Sequence, residues 1–438
     1  MRIFLIALWS AAFLLQAIAF SQSSETTLHN FAGGADGADP LGDLVYDSST
    51  GLVYGTTDEG GGSSLCTKGC GTVFSISPNG SPYKTLYGFA GGTDGANPQA
   101  GLVIDQFGNL YGTTYNGGAH GFGTVFKLMP IGGGMFTESV LYSFPGGKPG
   151  EHPLSRLVLD PSGNLYGTTY AGGSGHGVVF VVSPSGSETV LFTFSAVNGS
   201  HPRAGVVFDP AGNLWGTTSV GGVANLGTVF RLSFSGSVWT ETFLYSFTGP
   251  GGANPYAEVT IDSLGNVFGT TKFGGTPTCG FNAAGCGVIF ELTPRGGGFT
   301  ETPIYSFTGA ADGAEPMADV TLVLDATGFR HLFGTASGAG TLGGTCPAKG
   351  CGTAFELCSI GSSCSGSTKW TEYTLFDFAG KHGGKTPASG MLVFSPVVTG
   401  SRPLGFPPSG RGTCTSGCMT TPSSGGSTGN GTIDRLSN

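Results

Sequence analysis

The sequence is poor in charge: only 10% of its 438 residues are Asp, Glu, Lys or Arg, 27 acids against 18 bases. No Lys/Arg cluster stands out, which argues against nucleic acid or an anionic membrane as partner. Beyond residue 15 no apolar run is long enough to cross a bilayer, and no transmembrane segment is expected. No nucleophile elbow, zinc-peptidase helix or phosphate-binding Gly-Lys-Ser/Thr loop is expected either. What the chain has in excess is glycine, 82 residues, together with 32 Phe, 13 Tyr and 4 Trp. Disordered Gly-rich chains usually lack aromatics. Many glycines with many aromatics read as short strands joined by tight turns.

Residues 1–19 have the form of a secretory signal peptide. Arg2 is the charged start, Ile3 to Leu15 the apolar run, and Ala17-Ile18-Ala19 the small-x-small cleavage pattern. Its removal leaves 17 bases against 27 acids, a formal charge of −10. The expectation is a secreted or cell-surface protein. In that setting the ten cysteines read as five local disulfides: Cys66/Cys70, Cys279/Cys286, Cys346/Cys351, Cys358/Cys364 and Cys414/Cys418. Zinc is the alternative, but it requires two pairs to converge or a pair joined by His.

One hairpin organises the chain. In Leu157-Val158-Leu159-Asp160-Pro161-Ser162-Gly163-Asn164-Leu165-Tyr166-Gly167-Thr168-Thr169, two β-rich runs flank a type I turn whose Gly can close a bulged hairpin. The aromatic-Gly-Thr element recurs at Tyr54, Tyr111, Tyr166, Trp215, Phe268 and Phe333, at spacings of 57, 55, 49, 53 and 65. Each unit carries four strand-like runs, the size of a propeller blade. An all-β fold follows: a β-propeller of four-stranded antiparallel blades, seven in number, with six or eight as alternatives. Residues 20–398 form the repeats, and 399–438 a Gly/Ser/Pro-rich tail that could complete the last blade. Thr27-Leu28-His29-Asn30-Phe31 matches a fourth strand with no blade of its own. Met391 to Phe394 looks like a first strand, and Gly431 to Leu436 like a third. Together they predict a seventh blade that joins the chain ends and leaves no open edge.

Asn-Leu-Tyr-Gly-Thr-Thr, then Gly-Gly, then Gly-Thr-Val-Phe with a following Pro and Gly, resembles the GloVer tandem repeat over roughly residues 27–395. The resemblance implies a secreted bacterial repeat protein and no established activity. That repeat often precedes a C-terminal anchoring module, and none is recognisable here. From Thr399 to Asn430 the aromatic-Gly-Thr element is missing.

Residues present in every unit are most simply there for the blade, so function is sought where units differ. One such position precedes a recurring proline and holds Asp39, Asn97, His152, His201, Asn254, Glu315 and Thr386. Three residues past each proline sit Asp43, Gly101, Arg156, Gly205, Glu258, Asp319 and Gly390. If the following strand is innermost, both sets ring one channel mouth. The candidate ligand-binding residues are Asp39, Asp43, His152, Arg156, His201, Glu258, Glu315 and Asp319. His152, His201 and Arg156 would form a cationic or metal-binding sector facing an acidic one. The alternative is that these residues only satisfy turns. Asp36, Asp94 and Asp312, each before Gly, read first as turn residues; they could also offer carboxylates to calcium, though they lack a dedicated loop spacing. No other cofactor and no catalytic residue is expected. The recurring Thr-Glu at Glu138, Glu241, Glu301 and Glu372 reads as charge placed on an outer edge. The function expected is that of a non-catalytic, monomeric binding or scaffold module for an extracellular glycan or protein. A polysaccharide hydrolase or lyase with its site at the mouth is the alternative.

Overall fold

A computed structural model describes residues 24–236, 238–275, 279, 283–325, 328–340, 350–361, 370–378, 384–393, 418–425 and 430–437. The signal segment, the tail over 399–417, and Cys346, Cys364 and Cys414 lie outside these residues.

The repeated hairpin folds as its residues dictate. In blade three (Val158–Leu159, Leu165–Thr169, Val178–Val182, Glu188–Thr193) the Asp160 carboxylate gathers four donors. It accepts the Ser162 and Asn164 N–H groups at 2.8 and 2.9 Å, the Asn164 amide at 2.8 Å and the Tyr166 hydroxyl at 3.2 Å. Gly163, at φ 86°, supplies the left-handed residue of the turn. The same clasp holds Asp105/Asn109, Asp209/Asn213 and Asp262/Asn266. Donors aimed at the carboxylate keep Asp105, Asp160 and Asp209 below the usual Asp range despite partial burial.

Seven four-stranded antiparallel sheets close into a ring. Blades one to six run in chain order from strand to strand. The core is not central but divided among the seams: each apolar cluster joins two adjacent blades, and the seventh joins blade seven to blade one. At six seams the Phe ending a fourth strand meets the third-strand Phe of the next blade edge to face. Examples are Phe194 with Phe230 at 5.0 Å and Phe31 with Phe74 at 5.4 Å.

The Thr that follows the glycine of each aromatic-Gly-Thr element is a clamp between blades. Its hydroxyl donates to a backbone carbonyl of the next blade: Thr56 to Ala100, Thr113 to Ser155, Thr168 to Ala204, Thr217 to Ala257, Thr270 to Ala318 and Thr335 to Ser389, at 2.7–3.0 Å. Thr421 donates to Gly42 at 3.2 Å, which carries the pattern across the closure.

Blade seven takes Leu392–Val393, Cys418–Thr420 and Thr432–Ser437 from the C-terminal part and Ser24–Asn30 as its outer strand. The orphan fourth strand therefore pairs as expected, Asn30 opposite Thr432 and Thr26 opposite Arg435. A further ribbon, Gly384–Pro387 with Pro422–Gly425, flanks this blade.

Disulfides Cys66–Cys70 and Cys279–Cys286 form within the lengthened loops, with Cα separations of 5.2 and 5.6 Å. Cys351 and Cys358 are also disulfide-bonded. Closing a loop as small as Cys66–Cys70 stabilises by about 2 kcal/mol in the chain-entropy account.

Candidate ligand site at the channel mouth

Strand polarity gives the ring two faces. First strands begin, and second strands end, on the face that carries the recurring prolines; the hairpin turns lie on the other. At the proline face all seven blades line one cavity of about 140 Å³.

The seven positions three residues past the proline hold four charged side chains and three glycines, and the glycines make the room. A Cβ on Gly205 would stand 2.6 Å from Glu258 Oε1, and one on Gly390 would collide with Asp319 Oδ1. Through the gap over blade four, Arg156 Nη2 donates to Glu258 Oε2 at 2.6 Å. Over blade seven, Gly390 N–H donates to Asp43 Oδ1 at 2.7 Å, and Asp319 approaches the same glycine. The Arg156 side chain is 35% exposed, but it lines the channel and is surrounded by protein, and Glu258 holds its guanidinium well above the ordinary range. Asp319 is pushed up to about 8, first by burial and then by the Asp43 charge.

The residues before the prolines do something else. All seven adopt φ between 53° and 61°, a left-handed conformation that the following proline ordinarily disfavours. It lets each N–H reach back to the preceding blade, as in His152 to Phe122 O at 2.8 Å and His201 to His176 O at 2.9 Å. Asn, Asp and His tolerate this backbone best, which accounts for Asp39, Asn97, His152, His201 and Asn254. None of the seven lines the cavity. His152 stacks on Tyr115 at 4.5 Å and His201 packs on Tyr170 at 4.7 Å. Glu315 lies 3.7 Å from Lys272. Asp39 clusters with Asp58 and Glu59 and is pushed to about 6 by burial and by those two charges. The two predicted sets thus separate: Asp43, Arg156, Glu258 and Asp319 line the cavity, while Asp39, His152, His201 and Glu315 stand in the interblade clips around it.

Two cations and three tyrosines on this face escape the spacing rule. Arg203 lines the cavity one residue past its proline, with its guanidinium 5.0 Å from the Tyr170 ring and 4.4 Å from Tyr256. Lys272 lies 5.2 Å from Tyr256 on its other flank. Tyr115, Tyr170 and Lys272 follow the Thr pair, and Arg203 and Tyr256 follow the proline. Both positions vary between units, so the same criterion applied one residue along identifies them.

Two sequence readings change. The Thr-Glu glutamates do not stand out as edge charges. They are half-buried at the seams, where Tyr245 donates to Glu301 at 3.1 Å; Glu188, which follows Ser187 in blade three, is half-buried likewise and lies 3.5 Å from the Tyr142 hydroxyl. Burial raises Glu138, Glu188 and Glu372 to about 7. The Asp-Gly carboxylates close the loop after the fourth strand: Asp94 accepts the Ala90 N–H and the Tyr87 hydroxyl, and Asp312 those of Thr308 and Tyr305. Two short strings do match catalytic signatures by letter. Gly384-Lys385-Thr386 belongs to a strand that enters no helix, and Gly425-Gly426-Ser427-Thr428-Gly429 runs outside the described residues after Gly425.

On the hairpin face, turns and hairpin tips expose Phe107 at 74% and Leu264 at 73%. An apolar groove of about 560 Å³ opens there between blades one and two. A second titratable cluster, His331 with Glu356 and Asp325, is fully buried in blade six, where His331 occupies the Asn position of the turn clasp.

The family model of the Gloeobacter/Verrucomicrobia repeat matches residues 15–176 and 158–414. A search of curated proteins finds no match. Among solved structures, the chain is similar to a gluconolactonase from Xanthomonas campestris, with 13% identity, TM-score 0.41, and coverage of 71% of this chain and 86% of that one. It is also similar to the extracellular domain of a protein assigned as a one-component system in B. thetaiotaomicron, with 10% identity, TM-score 0.49, and coverage of 94% of this chain and 40% of that one. At these identities and scores neither likeness carries a functional argument.

Proposed function

The chain belongs to the Gloeobacter/Verrucomicrobia repeat family, and on that footing we propose that it is a non-catalytic, monomeric extracellular binding module that takes a saccharide at its channel mouth. One observation carries this reading. All seven blades converge on one open cavity whose lining mixes fixed charges with Tyr256, and Tyr170 joins Tyr256 against the Arg203 guanidinium at its edge. Disulfides support an oxidising compartment, in keeping with residues 1–19 as a signal peptide. No helix among the described residues is long and apolar enough to cross a membrane. A glycan array probed with the purified protein tests the reading. Binding to an oligosaccharide that falls at least 10-fold in Tyr256→Ala is expected, and an array with no ligand at all would count against it.

A second reading has an observation of its own. Asp43 and Asp319 converge on Gly390, and two carboxyl groups at one point, one of them raised to about 8, is an arrangement that general acid–base chemistry uses. New reducing ends from a polysaccharide, abolished in Asp319→Asn, would establish that reading; binding without turnover would exclude it for that polymer.

A further inference from the structure

Arg203 has an unusual position. Its guanidinium lies between two tyrosine rings at the edge of the cavity, 5.0 Å from Tyr170 and 4.4 Å from Tyr256. Among the described residues it makes no ion pair, and its Nε is buried with no hydrogen-bond partner. The acids nearby are engaged elsewhere: Glu258 holds Arg156 at 2.6 Å, and Glu315 faces Lys272 at 3.7 Å. A buried guanidinium N–H without an acceptor is costly unless something completes it. The aromatic planes fix the orientation of the fork, so little entropy is left to lose when a planar anion docks. His201, in the same sector, is held below its usual range first by burial and then by the charges of His176 and Arg203, and so adds no competing proton chemistry at neutral pH. The hydroxyls of Tyr115, Tyr170 and Tyr256 also make no hydrogen bond among the described residues. Unpartnered phenols around a rigid, unpaired guanidinium suit a ligand that carries both hydroxyls and a carboxylate.

We infer that the mouth recognises an acidic saccharide, a uronate, whose carboxylate is bound by Arg203 while its hydroxyls meet the tyrosine rim. The inference rests on the reading of the mouth as a saccharide site and adds the ligand's charge. Asp43 of blade one lines the cavity opposite Arg203, so the ligand's carboxylate is turned toward blade four.

The test is calorimetric titration of the purified protein with tri-galacturonate and tri-mannuronate, and with their methyl esters, at low salt. At least one uronate should bind 10-fold or more tightly than its ester. Arg203→Gln should bring that ratio below 3, and Arg203→Lys should leave an intermediate value, because the charge stays but the fork is lost. Thermal unfolding of each variant checks that the ring is intact. A ratio near one, a ratio that Arg203→Gln leaves unchanged, or no uronate binding overturns the inference. Equal binding of acid and ester that Tyr256→Ala removes would overturn the acidic ligand while leaving the saccharide reading standing. If the tripeptide Ala-Ala-Ala binds as tightly as a uronate through Arg203, both are overturned.

Discussion

Stability should fall as pH rises through neutrality, and the seam glutamates are the reason. Glu138, Glu188 and Glu372 are raised from 4.5 to about 7, each first by burial; the charge of Asp94 adds to the rise at Glu138 and that of Asp312 at Glu372. A carboxyl whose pKa is higher in the folded state binds its proton more tightly there. Its neutral form is therefore fully tolerated below the unfolded value near 4.5, and stability is lost as pH climbs through 7. The rise sets a ceiling of about 3 kcal/mol per residue. These side chains are only half-buried, and solvent screening reduces the figure to about 1 kcal/mol each. For a chain of this size, about 3 kcal/mol in total lowers Tm by roughly 3–4 °C. Other groups titrate in the same window. Asp39 and Asp319 act in the same direction, while His29 and His201, lowered by burial, favour folding as pH rises. Comparison with the triple variant Glu138→Gln/Glu188→Gln/Glu372→Gln cancels those contributions. Circular-dichroism melts from pH 5 to 8.5 should show Tm of the parent falling relative to the variant by those few degrees. Parallel curves for the two proteins would refute the reasoning.

Two structural predictions follow from the repeat itself. Thr168→Val removes the donor to Ala204 O at 2.7 Å and leaves a buried carbonyl without a partner, so denaturant unfolding should show a loss of about 1–3 kcal/mol, whereas Thr189→Val on an exposed strand position should stay within about 0.5 kcal/mol. Gly216→Ala sets a Cβ 2.6 Å from the Phe230 ring and should cost about 1–3 kcal/mol in a parent background but much less in Phe230→Ala, so a double-mutant cycle that shows simple additivity would reject the contact as the cause.

The fold was more legible than the site, for a local reason. Asp160-Pro161-Ser162-Gly163-Asn164 specifies its turn through its own side chains, so the hairpin could be read without its neighbours. The mouth depends on directions that spacing does not encode. Asp43 and Arg156 line the channel because they follow the proline into the innermost strand. His152 and His201 precede the same prolines, but their left-handed backbone turns them into the interblade clips instead. The seam glutamates were misplaced by the assumption that an outer strand faces only water. In this ring the fourth strand leans over the next blade, and Tyr245 meets Glu301 there.

The tail looked irregular because its blade lacks aromatic-Gly-Thr, yet the same contact rule explains why that blade still forms. In blades one to six the glycine exists to admit the third-strand Phe: a Cβ on Gly55, Gly112, Gly167, Gly216, Gly269 or Gly334 would stand 2.5–2.8 Å from the ring of Phe74, Phe126, Phe180, Phe230, Phe290 or Phe355. In blade seven the residue at the Phe position is Asp434, and the residue paired with it at the Gly position is Thr420. With no ring to admit, glycine is no longer required, and both replacements remain fully buried. The two departures are one change, made on facing strands. The features that survive are those that link blades: the Thr421 hydroxyl on Gly42 O and the N-terminal strand along Thr432–Ser437. A blade's identity in this fold therefore lies in its bonds to its neighbours, and its interior motif can be exchanged as a pair.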